Sequence, residues 1–362
     1  MRSYKLLIFI PLLFLTGCYS KLPIERASVL AGIGQDVIDK ETLSSSFEFL
    51  VFSGENKITK TVITHKGVSI FDIYNNRLLE AKKNLLPGTI RLLLISEARA
   101  RQGVDDIIDV FLRDQDRNLN TTVVVCREKT EDILNMTPKE ATTISEEIED
   151  LLKSSYQTNF SQRDTNIKDL FNMKFQDGRK MMLPYIEKHE NTVILDSIAI
   201  FDNNKMLFKI PAKDVKYVNI LRNDKAKGYL TLKEDNTLLS NDIQCKSKRK
   251  VSVQIDNDEI TYNIKLNINA LLKEVNTDQF KELDRKTINK LENLYSEELK
   301  VKLEDILKKY QKNYNIDVFD LEKYALAKLG KDNEALVNKK FKGSKINIDV
   351  KISVSSTGRL IR

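Results

Sequence analysis

The residues with the clearest capacity for covalent chemistry lie near the start of the chain, at Leu15, Thr16, Gly17 and Cys18. Small residues before a cysteine let an extended backbone enter a peptidase, and the thiol can then accept a diacylglyceryl group. Two or more acyl chains, each buried methylene contributing about 0.8 kcal/mol, would hold such a cysteine stably in a membrane. These four residues therefore predict cleavage before Cys18 and lipid attachment to its sulfur.

The residues ahead of Cys18 have the three parts of an export signal: a basic start, an apolar run from Leu6 to Leu15, and small residues. An apolar helix of that length rises only about 15 Å, half the hydrocarbon thickness of a bilayer. Pro11 also disfavours a permanent helix. We expect residues 1–17 to be a cleaved signal that resembles those of bacterial lipoproteins, and residues 1–15 to form a helix detached from the body.

An ordinary signal peptide followed by an incidental cysteine is the alternative interpretation of this segment. It differs only in what happens to Cys18, because export is common to both. Later in the chain there is no run of 18 apolar residues, so the sequence predicts a protein anchored to a membrane rather than threaded through it.

The other residues that could bind metal or react as nucleophiles are isolated from one another. Cys126 and Cys245 stand in different predicted elements, so two separate buried thiols are favoured over a disulfide, whose formation stays open. His65 and His189 have no cysteine at ligand spacing, and we expect no metal site.

Motifs that would indicate an enzyme are also missing from the sequence. Gly32 and Gly34 form a "GIG" pair without the third glycine of a dinucleotide-binding loop, and there is no P-loop or G-x-S-x-G elbow. The acidic pairs Asp105-Asp106 and Glu146-Glu147 fall on helix faces predicted to be exposed, where we interpret them as solvated charge. The sequence predicts no catalysis and no cofactor.

Composition sets further limits on function. A hydrophobic content of 41% with 31% charged residues is typical of globular protein, and 362 residues favour two or three domains. Removal of the signal takes away Arg2 and Lys5, which lowers the formal net charge from +7 to +5. So modest a charge, without a stripe of basic and aromatic residues, does not indicate nucleic-acid binding.

The first part of the mature chain, residues 18–190, predicts an α/β domain. Ile90 to Ile95 and Val123 to Cys126 are apolar runs of strand length. Between them, Ser96 is a candidate N-cap for a short helix that ends near Gly103, and a second helix covers about 104–113. A strand, helices and a second strand with a short return predict a right-handed crossover between parallel strands.

Residues 191–250 predict a middle region made of a hairpin and a helix. Two apolar runs within residues 196–210 flank Asp202, Asn203 and Asn204, whose residue types tolerate the positive φ of a tight turn. A helix follows at about 212–222. The basic run from Lys246 to Lys250 predicts a solvated lead-in to a strand, with contact to a membrane surface as the alternative.

Residues 251–362 predict an antiparallel sheet covered by a long helix. Apolar residues alternate from Ile260 to Ile268 and from Ile346 to Val354, which is typical of strands with one wet face. An amphipathic stripe over about 277–312 has the width needed to cover that sheet. The predicted fold is α+β (mixed α/β), with two to three domains that each hold a small mixed or antiparallel sheet packed by helices.

Taken in order, several of these stretches resemble the spore germination receptor C-subunit family, the Ger(x)C (GerAC-like) lipoproteins of endospore-forming Firmicutes. They are Cys18 with "IERASVLAGIGQD", "LLLISEARARQGVDDIIDVFLRDQDRN" with "VVVCREKTEDIL", "SIAIFDNNKMLFKI", "YQKNYNIDVFDLEKYA" and "INIDVKISVSSTG". No single stretch is as specific as a metal motif, and it is the ordered set that carries the resemblance.

The resemblance implies a non-enzymatic subunit, built of α/β domains and held by lipid on Cys18 at the outer face of the spore inner membrane. Its implied partners are membrane lipid and two polytopic subunits, A and B, with which it would sense germinants. The resemblance implies no catalytic or germinant-binding residue. The alternative is an exported lipoprotein of the solute-binding or cell-wall-related kind, which would need two lobes around a polar cleft.

Overall fold

The computed structural model describes residues 27–53, 57–81, 83–161, 165–233, 240–257, 259–274 and 284–357. The predicted signal at 1–17, the helix expected over residues 1–15, and the acylation site at Leu15, Thr16, Gly17 and Cys18 lie outside these residues. Two sheets organise the part of the chain that is described.

The first sheet contains nine strands, in the order β3-β2-β1-β5-β6-β7-β8-β9 with β4 beside β1. Its central strands β1, β5, β6 and β7 are parallel, and antiparallel strands extend it at both sides. The strands are β1 (Ala27–Val37), β2 (Leu43–Ser53), β3 (Lys57–Gly67), β4 (Asn84–Leu86), β5 (Leu92–Ser96), β6 (Thr122–Cys126), β7 (Met182–His189), β8 (Thr192–Asp202) and β9 (Lys205–Ile210).

Helices cover both faces of this sheet, which explains why β5 and β6 are apolar at nearly every position. On one face, residues of α1, α3 and α6 form a core with Leu93, Ile95 and Val123. On the other face, α4 and α5 pack against Leu92 and Leu94. The helices are α1 (Ile70–Glu80), α2 (Glu97–Gln102), α3 (Asp105–Arg113), α4 (Thr130–Leu134), α5 (Ile144–Thr158), α6 (Ile167–Phe175) and α7 (Ala212–Arg222).

The predicted crossover between β5 and β6 is confirmed, and so are its helix boundaries. The two strands pair in parallel from Leu92 with Thr122 to Ser96 with Cys126. Ser96 Oγ accepts a hydrogen bond from the Arg99 backbone N–H at 3.4 Å, and Gly103 ends α2 with a φ of 137°. The capping residues Ser96 and Gly103 therefore set the two ends of α2.

The second sheet has the order β10-β11-β12-β13. Its elements are β10 (Lys227–Lys233), β11 (Ser240–Asp256), β12 (Glu259–Glu274), α8 (Arg285–Lys308), α9 (Glu322–Leu329), α10 (Glu334–Phe341) and β13 (Lys345–Ser356). Leu291, Tyr295, Leu299 and Leu303 of α8 are fully buried, as the predicted stripe requires, and a π-helical turn, Lys309–Tyr314, continues the helix.

The expectation of an antiparallel sheet in residues 251–362 is only partly correct. β10, β11 and β12 are antiparallel, but β12 and β13 pair in parallel, with Ile264 opposite Ile348. Parallel neighbours need a long crossover, which α8, α9 and α10 provide. Alternation of apolar residues reports that one face is buried, and it carries no information about strand direction.

The separate middle region expected over residues 191–250 is divided between the two sheets. The hairpin is present, and its turn residue Asn203 has a φ of 53°. However, β8 pairs with β7 and so extends the first sheet, while β10 and β11 belong to the second. A hairpin pattern is local, so it does not specify which sheet edge the hairpin joins.

The basic run lies in the middle of β11 instead of leading into a strand. Its residues alternate: Lys246, Lys248 and Lys250 are exposed, while Ser247 and Arg249 point inward and are buried. One hydrophobic core connects the two sheets, because Met182, Ile200 and Ile210 of the first sheet contribute to the cluster beneath the second. Among the described helices, none is both long and apolar enough to cross a bilayer.

Candidate functional site

Ala27 is the first residue that the structure describes. It opens β1 and is paired in parallel with Asn84 of β4, at one end of the first sheet. Cys18 precedes it by nine residues. The chain therefore reaches the body beside the short strand that follows α1.

The "GIG" pair in β1 lies against the beginnings of two helices. A Cβ on Gly32 would be 1.9 Å from Ser145 Oγ, and one on Gly34 would be 2.1 Å from Thr130 Oγ1. Only glycine allows the strand to approach the helices so closely. Protein hydroxyl groups thus fill the space above both glycines, which explains why glycine occurs here without a dinucleotide-binding loop.

Two buried carboxylates next to these glycines cap the same helices. Asp36 accepts hydrogen bonds from the backbone N–H of Thr130 at 3.1 Å, at the start of α4. Glu48 is fully buried and accepts from the backbone N–H groups of Ile144 at 2.9 Å and Ser145 at 3.0 Å, at the start of α5. Each satisfies unpaired helix N–H groups, and its charge complements the helix dipole.

Charged residues in the segment from Ser96 to Arg117 also hold the structure together. The buried Arg99 guanidinium donates to the Gly103 carbonyl and to Asp106 Oδ2 at 2.6 Å. The Arg117 Nε donates to Asp114 at 2.9 Å, and its guanidinium lies over the Phe111 ring at 5.1 Å. Each arginine thus ties a helix to the loop beside it.

The acidic pairs expected to be simply solvated do have specific partners. Asp105 contacts Lys174 and accepts from Asn204 Nδ2 at 2.8 Å, although half of its side chain is exposed. Glu146 accepts from Arg91 at 3.0 Å. Asp105 and Asp106 are exposed as predicted, whereas Glu146 and Glu147 are half-buried, and sequence alone could not identify these partners.

A buried charged cluster lies where the two sheets meet, and we call Arg179, Arg222, Arg249, Asp317 and Asp320 the sheet junction. Asp320 Oδ1 is 2.8 Å from Arg222 Nη1, and its Oδ2 accepts from Arg179 Nε at 2.9 Å. Arg179 precedes β7, Arg222 ends α7, and Asp320 precedes α9. Asp320 lies in the crossover between two strands of the second sheet. Its ion pairs therefore connect that crossover to Arg179, just before a strand of the first sheet, and to Arg222, in the helix between the two sheets in sequence.

Two arginines of the sheet junction also bind backbone carbonyls. Arg222 Nη2 donates to the Lys180 carbonyl at 2.9 Å, and Arg249 donates to the Arg222 and Phe319 carbonyls at 2.9 and 2.8 Å. Burial lowers the pKa of Arg222 and of Arg249. Such buried cations are tolerated because carbonyl and carboxylate partners replace much of the lost water, although Arg249 Nε has no hydrogen-bond partner.

Asp317 shapes the loop that carries the sheet junction. It accepts backbone hydrogen bonds from Phe319 at 2.9 Å and Glu322 at 2.7 Å, which turns the chain into α9. Burial raises the pKa of Asp317 and, together with the Asp317 carboxylate, that of Glu322. Both acids lie in the stretch "NIDVFDLEKYA". This part of the family-like sequence therefore forms a buried turn that leads into α9.

A cavity of about 110 Å³ lies between α5, α7, β7 and β8. Polar groups in its wall bind neighbouring protein atoms: Asn219 Nδ2 donates to the Asn159 carbonyl and Asn223 Nδ2 to the Phe160 carbonyl, both at 3.0 Å. Ser197 donates to Asp196 at 2.7 Å. A ligand would have to compete with these contacts, so the cavity does not identify a solute-binding cleft.

The two described cysteines are free and buried, which confirms two separate thiols. Burial raises the pKa of Cys245 to about 12, and burial with the nearby Asp36 carboxylate raises that of Cys126 well above its usual value. His65 Nε2 is 3.7 Å from a Glu80 oxygen. Within the part of the chain that the structure describes, no three acids, histidines or cysteines are grouped to hold a metal.

The sequence directed attention to the glycines but not to the acids that act with them. Asp36 and Glu48 belong to no recognised motif. The usable signal in the sequence was an acidic residue inside a predicted strand, such as Glu48 between Phe47 and Phe49. Arg249 was hidden in a basic run, although the alternation of β11 turns it inward.

Comparisons with known proteins agree along nearly the whole chain. A family model described as the N-terminal domain of spore germination proteins matches residues 20–188, and one described as "Spore germination B3/GerAC like, C-terminal" matches residues 196–358. Spore germination protein A3 of Bacillus subtilis (strain 168) is 25% identical over 292 residues, 78% of this chain and 77% of that protein. Spore germination protein GerQC of Bacillus cereus is 21% identical over 98% of both chains.

The crystal structure of the GerBC protein has the same fold. It aligns with a TM-score of 0.59 at 13% identity, covering 90% of this chain and 97% of that one. The mixed α+β architecture, with sheets packed by helices, is therefore shared. The two family models, which match residues 20–188 and 196–358, show that the chain belongs to the GerAC-like spore germination family, the C-subunit family of germinant receptors.

Proposed function

We propose that this protein is the lipid-anchored, non-enzymatic C subunit of a spore nutrient-germinant receptor. It acts with polytopic A and B subunits at the outer face of the spore inner membrane to trigger germination. The observation that carries the proposal is the match of both family models, which together span residues 20–358 and begin two residues after Cys18. Diacylglyceryl-Cys18 provides the attachment to the membrane.

The contacts of the charged residues support a role in assembly rather than catalysis. Asp36, Arg99 and Asp320, which lie in the family-like stretches, bind a helix start, a carbonyl group and an arginine. A general acid or base has to reach a substrate, whereas these groups are committed to protein partners. Surfaces of the folded body therefore carry the function that we propose.

The anchor is tested by Cys18→Ala. We expect the variant to move from the spore membrane fraction to the soluble fraction and the response to germinants to fall, because acyl attachment requires the sulfur. Cys245→Ala is the matched control, since its thiol is buried in the second sheet and should not affect retention. Full membrane retention with normal germination of Cys18→Ala would contradict the proposal.

The class of partner is tested by purification from detergent-solubilised spores. We expect polytopic germination subunits to copurify with the tagged protein. Recovery of a transport permease or a cell-wall enzyme in their place would instead establish the solute-binding or cell-wall-related alternative.

A further inference from the structure

Helix α1 presents an exposed apolar surface. Among the described residues, the three most exposed large apolar side chains are Leu79 at 80%, Val68 at 77% and Phe71 at 70%. Leu78 adds a fourth at 43%. We call these four residues the α1 stripe. Scattered exposed apolar residues need no explanation, but a group on one element indicates a binding surface.

The α1 stripe faces away from the core. At about 100° per residue, Phe71, Leu78 and Leu79 lie on the side of the helix away from the buried Ile70, Ile73 and Arg77, and Val68 lies two residues before the helix begins. Arg77 is covered because its guanidinium lies over the Phe49 ring at 5.2 Å. The helix therefore has two apolar sides, and the described part of the protein covers only the inner one.

The position of α1 relative to the predicted anchor indicates what covers the outer side. The helix ends at Glu80, four residues before Asn84, which pairs with Ala27. Ala27 lies nine positions after Cys18, and a fully extended chain of that length spans at most about 32 Å. An acylated Cys18 would thus keep this end of the sheet, and α1 with it, close to the bilayer.

Charges around the helix fit a lipid surface. Lys66 and Lys83 are exposed on either side of α1 in sequence, where they can approach anionic headgroups. The exposed acid at the helix end, Glu80, lies 3.7 Å from His65 Nε2 on β3. Amphipathic helices with an apolar side and flanking lysines lie in the plane of the membrane interface.

We propose that the α1 stripe inserts into the headgroup and acyl boundary of the membrane. The lipid on Cys18 and this stripe then form two attachments, which fix the orientation of the body as well as its distance from the bilayer. This inference rests on the acylation of Cys18 that we propose above. Its partner is a lipid surface, and a binding surface for another protein is the competing outcome.

The test uses the full-length acylated protein in liposomes that contain brominated lipids and a fraction of anionic lipid. Leu79→Cys is labelled with an environment-sensitive fluorophore, and Val301→Cys on α8, a position 56% exposed, is the matched control. Cys126 and Cys245 should stay unlabelled because both are buried and burial raises their pKa. We expect quenching at position 79 to exceed that at 301 by about twofold or more.

The outcomes distinguish this inference from the anchor on which it rests. Protein that sediments with the liposomes but shows equal quenching at the two positions overturns the insertion of α1 and leaves the anchor intact. Protein that does not sediment overturns the anchor and, with it, the reason for placing α1 on lipid. If the label at position 79 is shielded only after A and B subunits are added, the stripe binds protein, and the proposal is wrong.

Discussion

The first sheet and the sheet junction both bury acidic side chains, but they satisfy them differently. Asp36 and Glu48 receive backbone N–H groups at the starts of helices that cover their own sheet, and Glu48 also pairs with Lys60 of the same sheet at 3.2 Å. Asp320 receives guanidinium groups from Arg179 and Arg222, which are attached to different elements. The comparison shows that one arrangement fixes helices on a single sheet, whereas the other connects two sheets through paired charges.

The largest expected effect is at the sheet junction. Asp320→Asn removes the charge but keeps a residue type that tolerates the φ of 54° found here. It removes the carboxylate that the buried Arg222 and the half-buried Arg179 contact, and we expect the free energy of unfolding to fall by about 3–5 kcal/mol because Arg222 loses its paired charge. Denaturation in urea measures the loss.

The matched control for this change is Asp109→Asn, which breaks the exposed pair with Arg113 on α3. A solvent-exposed pair of this kind contributes far less than a buried one, so we expect only a small loss of stability. Similar losses for both variants would show that the sheet junction does not stabilise the protein through buried charge.

A smaller effect is expected where β1 meets the capped helices. Gly34→Ala places a Cβ 2.1 Å from Thr130 Oγ1, so strand and helix must separate and the Asp36 cap must lengthen. We expect a loss of about 1–3 kcal/mol, the range typical of overpacking. Thermal denaturation followed by circular dichroism measures it.

Gly343→Ala is the control for the glycine substitution, because its added Cβ would meet no atom nearer than 3.7 Å. Its stability should be unchanged or slightly increased, since alanine restricts the unfolded chain. If Gly34→Ala were equally harmless, the close packing of β1 on α4 would not constrain the first sheet.

The smallest effect concerns the pH dependence contributed by Glu322, the first residue of α9. Burial raises the pKa of Glu322 from 4.5 to about 8. The protonated form therefore stabilises the folded state fully below pH 4.5, and this contribution is lost as the pH rises through about 8. Glu322→Gln stays neutral, so its stability relative to the native protein should increase by about 1 kcal/mol or more between these values.

Urea denaturation at pH 4.5 and at pH 8 measures this change. Glu297→Gln on the exposed side of α8 serves as the control, and its difference from the native protein should be the same at both pH values. A constant difference for Glu322→Gln would show that Glu322 does not titrate in this window.

Patterns within one element were predicted well from the sequence. Ser96 and Gly103 bound α2, the Asn203 turn closes the hairpin, and the stripe of α8 is buried as expected. β3 and β7 were not predicted. β3 is an edge strand with alternating polar residues, so its apolar signal is weak.

The sequence by itself determined which segments are buried, how many of their faces are buried, and to which family the chain belongs. It also predicts the acylation of Cys18. The tertiary structure decided the direction of β13, the sheet that the hairpin joins, and the residues that Gly32 and Gly34 contact. The physical reason is separation along the chain. The bonds from Asp36 to Thr130 and from Arg179 to Asp320 join residues 94 and 141 positions apart, whereas periodicity records only local burial.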